Sequence, residues 1–337
     1  STMISNAIYP ASYESRIVDL QTNSRNTEQK LLVIENQNDK LAQLNKEVSR
    51  FRSELTNLNS RSDSLRNEIA NSQASEEKLA TLVSNYRKSV EQRDRFIFNV
   101  VDTLFMTYKG LSDKRVKELS FSEGSGTIEH NENPLVVIKL IIDRNMEMLK
   151  ANSDSFTTED LVRMYALNSK VNEVWNSIGS NLISIYGENN KENWSQEIES
   201  DLKKWKSSAA LSMWNSLDSY LEKRDVDLGA FDNNSSFFTA LDSFVTNASD
   251  KNDGKFINDS NYDDFKVFNE FWTNKVMLEW NSYFVEAEVL TTSQMATINA
   301  KVDNWGEHSM PIPTWFFVVF GIAILLIIGL ILALIFK

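Results

Sequence analysis

From Leu20 to Arg93 apolar residues return with a seven-residue period and no skip. Position a falls on Leu20, Thr27, Ile34, Leu41, Val48, Leu55, Ser62, Ile69, Glu76, Val83 and Val90. Position d falls on Asn23, Lys30, Gln37, Leu44, Phe51, Leu58, Leu65, Ser72, Leu79, Tyr86 and Arg93. No Gly or Pro interrupts the run, and a sustained heptad of this kind predicts a left-handed coiled coil. As one continuous helix it would reach about 100 Å. Ile and Val at a with Leu at d favour a parallel two-stranded pairing. An intramolecular hairpin or a different partner chain fits the same pattern. The residues expected to make the contact are Ile34, Leu41, Leu44, Val48, Phe51, Leu55, Leu58, Leu65, Ile69, Leu79 and Val83. Thr27, Lys30, Gln37, Ser62, Ser72 and Glu76 are polar in the seam and read as local softness rather than register control.

Beyond the rod the period changes to that of amphipathic helices. Ile97, Val100, Val101, Leu104, Phe105, Tyr108 and Leu111 share one face. "SFSEGSGTIEHNENP" then reads as a loop, and Pro134 opens a new helix with Asn133 as its cap. Thr157 with Asp160 forms a capping-box signature ahead of Leu161, Met164, Leu167, Val171, Val174, Trp175, Ile178, Leu182 and Ile185, and Gly187 ends that run. Further helices are expected over about 194–221, 237–245 and 262–288. Thr291 with Gln294 starts a last one. Proline (4) and glycine (10) are scarce, as long helices require.

The chain closes on a different pattern, "PTWFFVVFGIAILLIIGLILALIFK". Trp315 to Phe336 carries no charge and would span roughly 30 Å as a helix, which predicts a transmembrane segment. It holds no ionisable residue of the kind that marks an ion path, so it is expected to anchor. Gly329 and Ala333 form a small-xxx-small pair that would let another helix approach closely. "STMISNAIYPASYESRIVDL" has no apolar h-region. Lys301 and Lys337 leave the positive-inside count tied. A first residue other than methionine tips the expectation toward an exported, periplasmic body. The alternative is a cytoplasmic, tail-anchored one.

Composition narrows the function classes. A net charge of −12 without a Lys/Arg stripe argues against nucleic acid, and the absence of cysteine removes disulfides, thiolate zinc sites and cysteine nucleophiles. His130 and His308 stand far apart, with no HxxxH or HExxH spacing. No phosphate-binding glycine loop and no GxSxG occur. The acidic stretch 249–264 fails as an EF-hand, because Ser249 and Lys251 fall on ligand positions and Ser260 where Glu is needed. A looser Ca²⁺ site from Asp250, Asp253 and Asp259 would be the only metal use of it. The eight tryptophans lie between Trp175 and Trp315 and at helical spacing read as core.

The expected fold is therefore all-α: an N-terminal segment 1–19, a coiled-coil rod 20–93, an all-helical soluble domain 94–310 and a transmembrane helix 315–336. The expected function is that of a non-enzymatic, single-pass, membrane-anchored tether, scaffold or accessory subunit without a cofactor. It would engage protein partners through rod and span, as a homodimer or within a larger complex. A ligand-sensing receptor body that signals through a partner is the alternative from another class.

Overall fold

The computed structural model describes residues 8–72, 76–123, 133–151, 156–250, 259–309 and 314–335. All regular structure among them is helical, so the all-α expectation holds. The long coiled coil does not. α1 (Ile8–Asn71) ends after the seam residue Ile69, and α2 (Glu76–Tyr108) starts again on the far side of residues 72–75. The two seam positions at this break, Ser72 and Glu76, are polar, so nothing apolar holds the helix in line there. α2 folds back antiparallel along α1: the Ser62 and Ser89 hydroxyls hydrogen-bond at 3.0 Å, and the Phe51 and Phe96 rings meet edge to face at 5.9 Å. The heptad thus builds a hairpin within one chain, and α2 continues through Arg93 without interruption.

α3 (Asp113–Glu123) follows a turn at Gly110, whose φ of 85° suits glycine. α4 (Pro134–Ala151) opens as its sequence requires, the Asn133 side chain accepting from the Leu135 amide at 2.9 Å. α5 (Thr158–Tyr186) carries the full capping box: Thr157 Oγ1 accepts from the Asp160 amide, and the Asp160 carboxylate accepts from the Thr157 amide. Nearly every residue of its first three turns is buried, because α2, α3, α4 and α6 (Lys191–Glu222) pack around it. α5 is the hub of the body.

The remaining core is aromatic. α7 (Asn234–Asp250), α8 (Asp259–Asn269), a π-helix (Glu270–Trp280), α9 (Asn281–Glu286) and α10 (Thr292–Ser309) bring Phe237, Phe244, Phe268, Phe271, Trp280, Phe284 and Trp305 into a chain of ring contacts at 5.1–6.2 Å. Gly306 is required here, since a Cβ would stand 2.6 Å from the Phe265 ring. The π-helix has a cause in the sequence. Phe268, Trp272, Val276, Trp280 and Phe284 recur every four residues, and all five are buried. On an α-helix each four-residue step turns the face by about 40°. Five such residues meet one core only if the helix is widened, which i→i+5 bonding does.

Among the described residues, α11 (Thr314–Ile335) carries the most exposed large apolar side chains, including Val318, Phe320, Leu325, Leu326 and Ile331. The expected location nevertheless has to be corrected. Among the described residues no helix is long and apolar enough to cross a membrane, so the single-pass anchor and the location built on it are withdrawn. The side chains of Gly329 and Ala333 lie outside the described set.

Candidate functional site

The seam residues separate into three groups. Leu44, Val48, Phe51 and Leu55 are buried inside the chain's own core, and Leu58, Leu65, Ile69 and Val83 are half-buried at its edge. Leu79, just past the turn, is exposed. The side chains of Ile34 and Leu41 lie outside the described set, on a stretch of α1 whose every described side chain between Val18 and Gln43 is exposed. The part of α1 from Ile8 to Gln43 amounts to about 54 Å of helix.

Where the hairpin meets the body its seam turns polar. Arg93 occupies a d position of the repeat, and it is fully buried together with Asp94. Its guanidinium donates from Nε to Asp94 Oδ1 at 3.0 Å and from Nη2 to Asn145 Oδ1 at 3.0 Å, and also reaches Met148 Sδ. The other oxygen of Asp94 accepts from Arg163 Nε at 2.9 Å, and Arg163 Nη2 donates to Asp160 at 2.7 Å. Burial opposes the charge on Arg163, but the carboxylates of Asp94 and Asp160 outweigh it and hold its pKa above the ordinary guanidinium value. Two arginines and two aspartates cancel, so the cluster is a neutral joint between α2, α4 and α5. A second joint fixes α1: the Tyr186 hydroxyl donates to Asn45 Oδ1 at 2.9 Å and shares a hydrogen bond with the Tyr108 hydroxyl at 2.6 Å.

Above the charged joint lies a cleft of about 520 Å³, within the range of small-molecule sites. Its walls come from α2 (Arg87, Glu91), the start of α5 (Thr157 to Asp160, Arg163), the end of α6 (Ser216, Ser219, Tyr220, Lys223, Arg224) and the π-helix (Lys275, Trp280). Phe156 and Trp280 supply apolar wall. The Thr158 and Ser216 hydroxyls hydrogen-bond at 2.8 Å. Arg224 lies 3.6 Å from the centre of the Tyr220 ring. Burial pushes the Tyr220 hydroxyl above its usual pKa, with Arg224 acting the other way. The buried Trp280 indole N–H has no acceptor among the described residues.

Of the cleft residues only Thr157 and Asp160 were singled out in the sequence, as a helix cap and not as part of a site. The wall comes from four elements between residues 87 and 280, and no local spacing joins those elements. The π-helix, which brings two of the cleft residues, did leave a trace in the four-residue aromatic repeat. No group of three or more metal-ligating side chains occurs among the described residues. Asp253 and His130 lie outside the described residues, and His308 sits on α10 with Nδ1 2.8 Å from the Asn304 carbonyl. No family model matches this chain, and neither does any curated protein or solved structure.

Proposed function

We propose that the protein is a non-enzymatic helical scaffold that engages a protein partner through the N-terminal half of α1. One observation carries this. A single uninterrupted helix is built into the body from Leu44 onward and is solvated at every described side chain from Val18 to Gln43, while its seven-residue repeat runs through both parts. An amphipathic repeat on a solvated helix is a surface made for another helix.

The seam in this arm is weak, with Asn23, Lys30 and Gln37 at d. Two copies should therefore associate in a concentration-dependent way. Sedimentation equilibrium of the full chain tests it, with non-ionic detergent present to cover the apolar surface of α11. Wild type should dimerise with rising concentration, and Ile34→Asp with Leu41→Asp should leave a monomer of unchanged helicity. If the double variant sediments as wild type does, the arm is not the contact and the scaffold reading falls.

A further inference from the structure

We propose that the cleft between α2, α5, α6 and the π-helix binds a small molecule bearing phosphoryl or carboxylate oxygens. The proposal is independent of the scaffold reading and rests on the local charge balance, which runs against the acidity of the whole chain. Every acid on the cleft wall has a cation beside it. Glu91 pairs with Arg95, Glu159 stands 3.9 Å from Arg163, and Asp160 is held by Thr157 and Arg163. Of the bases, Arg163 is consumed in the buried joint and Lys275 pairs with Glu279 at 2.7 Å. Arg87, Lys223 and Arg224 remain, and none of them is in an ion pair among the described residues.

Three uncompensated cations therefore converge from two different helices on one concave surface. The other features of the wall suit the same ligand. α5 opens at the cleft, so the positive end of its dipole adds to the field. Ser219 and the Thr158–Ser216 pair supply hydroxyls. Arg224, set over the Tyr220 ring and donating to the Tyr220 carbonyl, is oriented before any ligand arrives, which limits the entropy lost on binding. A π-helix at the wall fits a binding site, since such stretches are frequent at functional positions.

Isothermal titration of the full chain with pyrophosphate, and separately with citrate, tests this at ionic strength matched with NaCl. Two double variants are compared, all four residues being exposed: Arg87→Gln with Lys223→Gln in the cleft, and Lys203→Gln with Lys206→Gln on α6 away from it. At least one anion should bind saturably to wild type and to the α6 variant, and at least about tenfold more weakly to the cleft variant. Saturation by pyrophosphate alone assigns a phosphoryl ligand, and by citrate alone a carboxylate. The proposal is overturned if neither anion saturates, if the cleft variant binds as wild type does, or if both variants weaken alike. The self-association of α1 does not involve these residues, so its outcome leaves this one untouched.

Discussion

The two halves of α1 share one repeat and meet opposite fates. From Leu44 to Asn71 the helix is clamped against α2 and α4, and its seam residues Val48 and Leu55 are excluded from water. From Val18 to Gln43 it carries the same seven-residue frame and its described side chains are solvated. The comparison teaches what a heptad encodes. It specifies a stripe that needs a partner, and the identity of that partner is decided elsewhere in the chain. Here the polar positions Ser72 and Glu76 let the chain reverse, so α2 becomes the partner of the part of α1 from Leu44 onward.

The largest test of this division is a charge placed in each half. Leu55→Asp buries a carboxylate with no cation in its seam, and it should cost about 4 kcal/mol or more in urea unfolding. Ile34→Asp, on the stretch whose described side chains are all exposed, should change unfolding by less than about 0.5 kcal/mol, while still weakening association. Equal losses at the two positions would mean that the arm is part of the folded core, and the contrast between the halves would collapse.

How far the sequence carried follows from which interactions are local. The capping boxes at Thr157–Asp160 and Thr291–Gln294 use residues three apart and were legible, and both form as expected. The opening of α4 at Asn133–Pro134 was legible for the same reason. The heptad was legible as a stripe but silent on whether α2 or a second chain would fill it. The break at residues 72–75 was marked only by polar seam positions, which also fit a soft stretch of rod. Arg93 at a d position was a visible anomaly. Its resolution needed Asn145, Met148 and Arg163, which are 52 to 70 residues away along the chain. The π-helix was written in the spacing of Phe268, Trp272, Val276, Trp280 and Phe284, a step of four where an α-helix alternates three and four. The cleft had no sequence signature, because its cations matter through the absence of acids beside them in space.

A milder perturbation probes the boundary itself. Asn45 is where α1 passes from solvated arm to packed hairpin, and the Tyr186 hydroxyl bonds it there. Tyr186→Phe removes that bond with little change in shape. It should cost about 1 kcal/mol in urea unfolding, and amide hydrogen exchange should quicken around Asn45 and not around Leu55. An unchanged exchange rate at Asn45 would place the boundary somewhere other than this hydroxyl.

The smallest expected effect is a pH dependence confined to the packed half. Tyr86 faces α1 from α2, and burial pushes its hydroxyl above the usual 10.0, with Arg93 and Arg66 pulling the other way. The sign follows from linkage. The folded state keeps the proton that the unfolded chain gives up, so this contribution is full below pH 10.0 and is lost as pH rises past it toward the folded value. Wild type should therefore unfold at a lower urea concentration at about pH 10.5 than at about pH 9, and Tyr86→Phe should shrink that difference. It should not abolish it, because burial also raises Tyr165 and Tyr220. The self-association through the arm should show no step at the same pH beyond that of the body, since none of these tyrosines lies on it. If Tyr86→Phe leaves the alkaline edge as steep as before, this hydroxyl is already solvated in the folded chain. The hairpin would then be open at its α2 end, and the sharp contrast between the two halves of α1 would give way to a gradient.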